Sequence, residues 1–276
     1  MRRRFQDQVV VVTGAASGIG RAAALAFARE GARLHLVDRA AVPLEETWRA
    51  ILAAGGEAVT HVVDCADGEA MRQLSEHVLA AEHRVDVLLN NAGVMTAAPF
   101  ETIPLEEWER VMGVNFWGVL HGVRAFLPAM IARRRGHIVN TSSMAGLVGL
   151  PHVGPYVASK HAVAGLTAGL SAELGVHGIG VTLLCPGATR TGIMGSGPMD
   201  LPGEAGPKLR GALARWAPRP EGVAEKILDA VVHQRPLVTT GLDMLPLWWL
   251  QRLAPGLYLR LSRVLTGAIL SLSRPK

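Results

Sequence analysis

Residues 154–162, GPYVASKHA, place a tyrosine four positions before a lysine. On a helix that spacing is one turn, so the phenol of Tyr156 and the ammonium of Lys160 would share a face. A nearby ammonium favours the phenolate and lowers the tyrosine pKa from its ordinary value of about 10. Such a phenol can donate a proton to a carbonyl oxygen in one direction and take one from an alcohol in the other. The chain has only two tyrosines, Tyr156 and Tyr258, so the placement is a specific one. The plainer reading is an aromatic at a helix start followed by a solvated lysine. Thirteen residues upstream, Ser143 lies in SSMAG at 142–146. A hydroxyl at the carboxyl end of a strand can face a substrate carbonyl, although helix capping is the commoner role for such a serine.

A second group of residues points to a phosphate-bearing ligand. TGAASGIG, at 13–20, follows an apolar strand pattern and opens a helix pattern. Gly14, Gly18 and Gly20 permit a tight turn, close approach of backbone to a pyrophosphate, and close packing of helix on strand. The helix N-terminus adds amide donors and a positive dipole. The spacing is GxxxGxG, and its place between strand and helix favours a dinucleotide over a merely structural turn. Asp38 ends the next strand, 18 residues after Gly20. Its carboxylate suits ribose hydroxyls and repels a 2′-phosphate, which favours NAD. Arg39 beside it keeps NADP open as the alternative, while Ser17 offers no cation to help. NNAG, at 90–93, ends the fourth strand pattern and is suited to backbone passing beneath an adenine ribose, although by itself it reads as a turn.

The elements that must hold these residues alternate along the chain. Strand patterns fall at 8–13, 33–38, 57–64, 85–91, 136–143, 180–186 and 235–241, with helical stretches between them, notably 18–30, 43–55, 104–134, 156–177 and 221–233. Near-continuous apolar strands covered by helices imply a parallel sheet buried on both faces. The expected fold is a single doubly wound α/β domain over residues 1–241, with seven mostly parallel strands. Ligand should sit at the carboxyl ends of the strands. Residues 187–219 interrupt the rhythm with dense Gly and Pro, and apolar periodicity returns only near Leu209. A long loop of this kind suits a binding lid.

Composition narrows the class. The chain has 276 residues, 49% hydrophobic and 18% charged, enough for a large core. Cys65 and Cys185 have no CxxC or CxxH neighbours, so neither a zinc site nor a disulfide framework is indicated. His121, His137, His161 and His177 lack ligand spacing, and no metal is expected. His152 lies between Ser143 and Tyr156 and reads as a surface-loop histidine, with a place in the substrate pocket as the alternative. Arg2, Arg3 and Arg4, together with five cations and no acid in 245–276, exceed the whole net charge of +5, so the body between them carries −3. Basicity confined to the ends, without aromatic-interleaved basic stripes, argues against nucleic acid. The start, MRRRFQDQVVVVTG, runs straight into a strand and lacks a signal-peptide core, which predicts a cytoplasmic protein.

Taken in order, these motifs resemble the short-chain dehydrogenase/reductase family over roughly residues 6–241. The resemblance rests on TGxxxGxG, Asp64 of VVDCAD, NNAG, Asn115 of VMGVNFWG, Ser143, YVASK and CPGATRT. It implies a Rossmann-type fold and a role for each matching residue. Tyr156 would be the general acid/base, with Lys160 lowering its pKa and bonding the nicotinamide ribose. Ser143 would polarise the substrate oxygen, and Asn115 would hold a water in a proton relay. Gly14, Ser17, Gly18, Ile19, Gly20, Asp38, Arg39, Asp64, Cys65, Asn91, Ala92, Gly93, Pro186, Gly187, Thr189 and Thr191 would meet the cofactor.

The implied activity is NAD(P)-dependent exchange between a secondary alcohol and a ketone, on a lipophilic small molecule. The alternative is a catalytically silent dinucleotide-binding sensor or membrane-associated scaffold, which would not need Asn115, Ser143, Tyr156 and Lys160 together. The resemblance also implies a homodimer or homotetramer through a four-helix interface. Gly118, Gly122, Ala162, Gly165 and Ala168 are the small residues expected to pack there. Residues 242–276 form an apolar, basic extension too interrupted by arginine to span a bilayer. It should cover the substrate pocket or a subunit interface, with a place on a membrane surface beside the basic amino terminus as the competing reading.

Overall fold

Four valines and a threonine make β1 (Val9–Thr13), and all five residues are buried. β-branched side chains pack well on a pleated surface, and their alternation divides them between two layers. Val10 and Val12 face a cluster with Phe27, Leu44 and Ile227, while Val9 and Val11 face another with Met71, Phe126 and Val163. Each fully buried valine contributes about 1.5 kcal/mol or more. The computed structural model describes residues 3–201, 211, 215–240 and 244–272, with side chains described to residue 264 and at 266.

The first layer is built from α1 (Gly18–Arg29), α2 (Ala41–Ala53) and α7 (Pro220–Val232), and the second from α3 (Gly68–Glu82), α5 (Gly118–Arg133) and α6 (Gly154–Leu174). Between them lie β1, β2 (Arg33–Asp38), β3 (Glu57–Val62), β4 (Val87–Asn90), β5 (Gly136–Thr141), β6 (Ile179–Cys185) and β7 (Leu237–Thr239). The strand order is β3-β2-β1-β4-β5-β6-β7, and every pairing is parallel. The chain moves outward from β1 to β3, then returns to lay β4 against β1. That reversal is the topological switch point, where the carboxyl ends of the two strands diverge and leave a crevice.

Thr13 ties the two strand ends together. Its hydroxyl accepts from the Asn91 amide at 2.9 Å and the Ala92 amide at 3.1 Å, so NNAG is bound to the exit of β1. The glycine turn is equally tight. Gly14 has φ +69°, and a Cβ there would lie 2.8 Å from the Ala92 Cα. A Cβ on Gly20 would fall on the Gly14 carbonyl oxygen, so α1 can approach β1 only with glycine at both places.

Two expectations require correction. The helical stretch 104–134 is not continuous: α4 (Leu105–Met112) passes through a π turn, Gly113–Trp117, before α5 begins. Such turns gather at functional sites, and this one carries Asn115. Second, Gly118 and Gly122 face inward, against Cys65 and Asn90, so neither lies on an outer helix surface. Gly165 faces open space, Ala168 is exposed and Ala162 is half-buried, so the outward small-residue stripe belongs to α6. At the amino terminus, Arg4 pairs with Glu30 at 2.8 Å and Glu225 at 3.0 Å. Of the 187–219 loop, a 3-10 turn at Gly192–Gly195 and a bridge from Met199 to Ala97 are described. Leu209 and the boundary at Gly241 lie outside the described residues.

The extension forms α8 (Leu245–Leu253) and α9 (Pro255–Leu272). Both peptide groups of Gly149 hold it: the Gly149 amide donates to Gln251 Oε1 at 3.3 Å, and the buried Tyr258 hydroxyl donates to the Gly149 carbonyl. Among the described residues no helix is long and apolar enough to cross a membrane.

Candidate active site

The crevice at the switch point is a cleft of about 1010 Å3. Of the residues singled out from sequence, all but Gly20 and Asn115 line it. Gly20 lies beneath, where its missing side chain lets the glycine turn close. One end of the cleft is framed by the turn after β1 and by Asp38, and the other by Ser143, Tyr156 and apolar side chains.

Asp38 is held firmly at its end. One carboxylate oxygen accepts from the Ala16 amide at 3.1 Å and the other from the Ala40 amide at 3.0 Å. Each oxygen keeps a lone pair for a further donor, which is what a pair of ribose hydroxyls requires. Arg39 also lines the cleft but is exposed. Asp64 accepts from the Ala66 amide at 2.9 Å, which turns the chain after β3. The Cys65 thiol is pushed up to about 12 by burial and is therefore a packing group. Thr191 covers Gly18, whose added Cβ would stand 3.0 Å from the threonine methyl. Together the glycine turn, the amides of α1 and the fixed Asp38 form a cradle that fits a dinucleotide.

At the other end, Ser143 is a cap and also lines the cleft. Its hydroxyl accepts from the Ala145 amide at 3.1 Å, capping the 3-10 turn Met144–Gly146, and donates to the Pro186 carbonyl at 3.4 Å, while its presence beside Tyr156 favours the phenolate. Lys160 is 2% exposed and donates from Nζ to the Thr141 carbonyl at 2.9 Å. Burial pulls its ammonium down to about 8. Nζ lies 5.7 Å from the centre of the Tyr156 ring, so the one-turn pairing read from YVASK is present.

The electrostatics differ from the sequence expectation. Burial pushes the Tyr156 phenol above its ordinary value, and the neighbouring Ser143 hydroxyl opposes this. Lys160 sits over the ring and is itself weakened as a cation, so among the chain's own groups desolvation outweighs attraction. The neutral phenol is the favoured form.

Asn115 is completely buried. Its Oδ1 accepts from the Val94 amide at 2.8 Å, and its amide group donates to the Val94 carbonyl and to Ser159 Oγ, each at 3.0 Å. Both donor hydrogens are therefore spent, one fixing the strand exit beside Gly93 and the other tying the π turn to α6; an added Cβ on Gly93 would stand 3.5 Å from Lys160 Nζ. No pattern in the sequence showed that the side chain acts as this clamp.

The apolar end was largely missed by sequence reasoning. Met95, Leu150, Val153, Met194, Leu201 and Met244 line it, drawn from four separate segments. Each belongs to a loop without periodicity, so only the fold brings them together. His152, read as a surface-loop residue, also lines the cleft; its backbone has φ +63° and its Nε2 is buried without a partner among the described residues. Among the same residues, no group of three or more His, Cys, Asp or Glu side chains is placed to hold a metal.

Comparison with known proteins agrees with this arrangement. Residues 8–200 match the family described as short chain dehydrogenase. The Mycobacterium tuberculosis protein described as "Probable oxidoreductase EphD" is 39% identical over 265 residues, which cover 92% of this chain but only 44% of that protein's length. A short-chain dehydrogenase/reductase from Burkholderia phymatum, solved in complex with NAD, is 34% identical with a TM-score of 0.86, over 92% of this chain and 96% of the other. A metagenomic short-chain oxidoreductase solved in complex with NADP is also 34% identical, with a TM-score of 0.72, over 86% of this chain and 97% of the other. The chain belongs to the short-chain dehydrogenase/reductase family.

Proposed function

We propose that the protein interconverts a secondary alcohol and a ketone on a lipophilic small molecule, with NAD as the preferred cofactor. The observation that carries this reading is the convergence of Ser143, Tyr156 and Lys160 at the apolar end of a cleft whose far end is a dinucleotide cradle. When bound, the nicotinamide supplies or accepts the hydride. In the reducing direction the substrate oxygen gains negative charge, the Ser143 hydroxyl donates a hydrogen bond to it, and Tyr156 gives up its proton. Oxidation runs the same proton back from alcohol to Tyr156. Lys160, fixed by the Thr141 carbonyl, is the group through which the phenolate exchanges its proton. Asn115 acts as a positioning residue, clamping Val94. A relay water beside it would be held by Oδ1 or by the backbone of the π turn, because its amide hydrogens are in use.

Six apolar side chains at the substrate end favour a lipophilic substrate. The free, buried cysteines fit a reducing cytoplasm. Screening secondary alcohols and ketones of graded chain length, by the absorbance of reduced nicotinamide, tests the reading. Turnover should rise with apolar length; the absence of turnover on every member would leave only the silent-sensor reading.

Asp38 supports NAD because a 2′-phosphate would meet a carboxylate that two backbone amides prevent from swinging away. NADH should bind more tightly than NADPH by at least about tenfold, equivalent to about 1.4 kcal/mol. Asp38→Ala should narrow the gap. Tighter binding of NADPH by the native protein would show that Arg39 sets the preference.

The outward face of α6, with Gly165, Ala168 and Gly169, is smooth enough for a second helix to pack closely. We expect a homodimer or homotetramer through this face. Light scattering at micromolar concentration should give two or four chain masses, and a single mass would refute it.

A further inference from the structure

We propose that α8 and α9 seat the protein on an anionic lipid surface. The inner side of this pair is occupied: Gln251 and Tyr258 bind Gly149, and Met244, just before α8, lines the cleft. Among the described residues, the outer side carries exposed apolar side chains with no contact given to another element. Trp249 is 52% exposed, Leu253 78% and Val264 70%, and Leu257, Leu259 and Leu261 are also exposed. Leu257, Leu261 and Val264 fall at i, i+4 and i+7, which makes one apolar stripe along α9.

Beside that stripe stand Arg260 and Arg263, both exposed, and among the described residues neither is paired with an acid. Arg252 lies over the Trp248 ring at 5.8 Å, and Trp248 contacts Trp249. From residue 244 to the end, the sequence has five cations and no acid. Exposed Trp249 and leucines, interspersed with arginines that have no acidic partner among the described residues, match a headgroup layer, where apolar side chains enter the acyl boundary and long cations reach phosphate.

The charge pattern also selects among occupants. A twofold contact would set the same patch against itself and bring its arginines together with no carboxylate to separate them. An anionic membrane neutralises every one of them. Arg4 does not add to this surface, because Glu30 and Glu225 already hold it. The docking lies outside the redox chemistry and does not depend on it. It would bring the apolar end of the cleft, next to Met244, close to the lipid phase.

Cosedimentation of the full chain with mixed phosphatidylglycerol/phosphatidylcholine vesicles, and with phosphatidylcholine alone, tests the proposal. Binding should require the anionic lipid and fall with salt. Each cation near such a surface changes the partition by about fivefold, so Arg260→Glu/Arg263→Glu should lower it by about 25-fold or more. Leu253→Asp/Leu257→Asp should also abolish pelleting. Both double variants alter exposed residues away from the cleft, so an unchanged NADH titration by fluorescence would verify the fold and keep the result separate from the redox reading. Equal pelleting with both vesicle types, or unchanged pelleting of either variant, would overturn the proposal. So would loss of oligomeric mass in Leu253→Asp/Leu257→Asp with vesicle binding unchanged, which would make a second copy the occupant.

Discussion

Tyr156→Phe is expected to lower turnover by about 100- to 10,000-fold, the usual contribution of a positioned acid or base. Affinity for NADH should stay within a few fold. The substitution removes one oxygen and keeps the ring, so the wall of the cleft and the contact with Lys160 remain. What disappears is the phenolic hydroxyl beside Ser143 that can give a proton to a developing alkoxide. The pH dependence follows from the same environment. Burial holds the phenol above its ordinary value, so the neutral acid persists through the neutral range. Ketone reduction by the native protein should therefore be flat near neutrality and fail only in alkali. Alcohol oxidation, which needs the phenolate, should climb as pH rises. Stopped-flow or steady-state rates of both directions across pH provide the check. A phenylalanine variant with native turnover, or oxidation that peaks at acidic pH, would remove Tyr156 from the mechanism.

The motifs around this tyrosine were legible because their reasons are local. A strand of valines ending in a glycine turn, and a phenol one helical turn from an amine, each state their geometry in a few residues. The strands could be read for the same cause, since all but the edge strand β3 are largely apolar and bounded by turn residues, and parallel pairing follows from the helices between them. Non-local balances were not legible. YVASK places Lys160 beside Tyr156, but whether attraction or desolvation wins depends on how much water the fold removes, and desolvation wins. Asn115 was found through its motif, yet the π turn and the clamp on Val94 depend on contacts with residues far along the chain. The inward facing of Gly118 and Gly122 is similar: helical period alone does not say which side of a glycine-bearing helix meets the sheet. His152 looked like a loop residue and is one, but the loop forms a wall of the cleft.

Lys160→Met should make the protein more stable at neutral pH while weakening both turnover and cofactor affinity. The lysine is 2% exposed, and burial lowers its pKa from 10.5 to about 8. Below about pH 8 the folded protein therefore carries a buried ammonium, at a cost of roughly 3 kcal/mol relative to the same charge in water. Between about pH 8 and 10.5 the unfolded chain holds a proton that the folded chain has released. Native stability consequently rises with pH across that window, and the cost is relieved. Methionine fills a similar volume without a charge, so it escapes the cost at every pH. It also leaves the Thr141 carbonyl without the donor that Nζ supplied, a loss of about 1 kcal/mol. The net gain at pH 7 should be about 2 kcal/mol, shrinking through the alkaline window until the native protein is the more stable. Denaturant midpoints at several pH values measure this crossover. A variant less stable than native at pH 7, or a difference independent of pH, would mean that the ammonium is adequately solvated in the fold. The fold would then not be keeping a costly cation beside Tyr156 for the sake of the reaction.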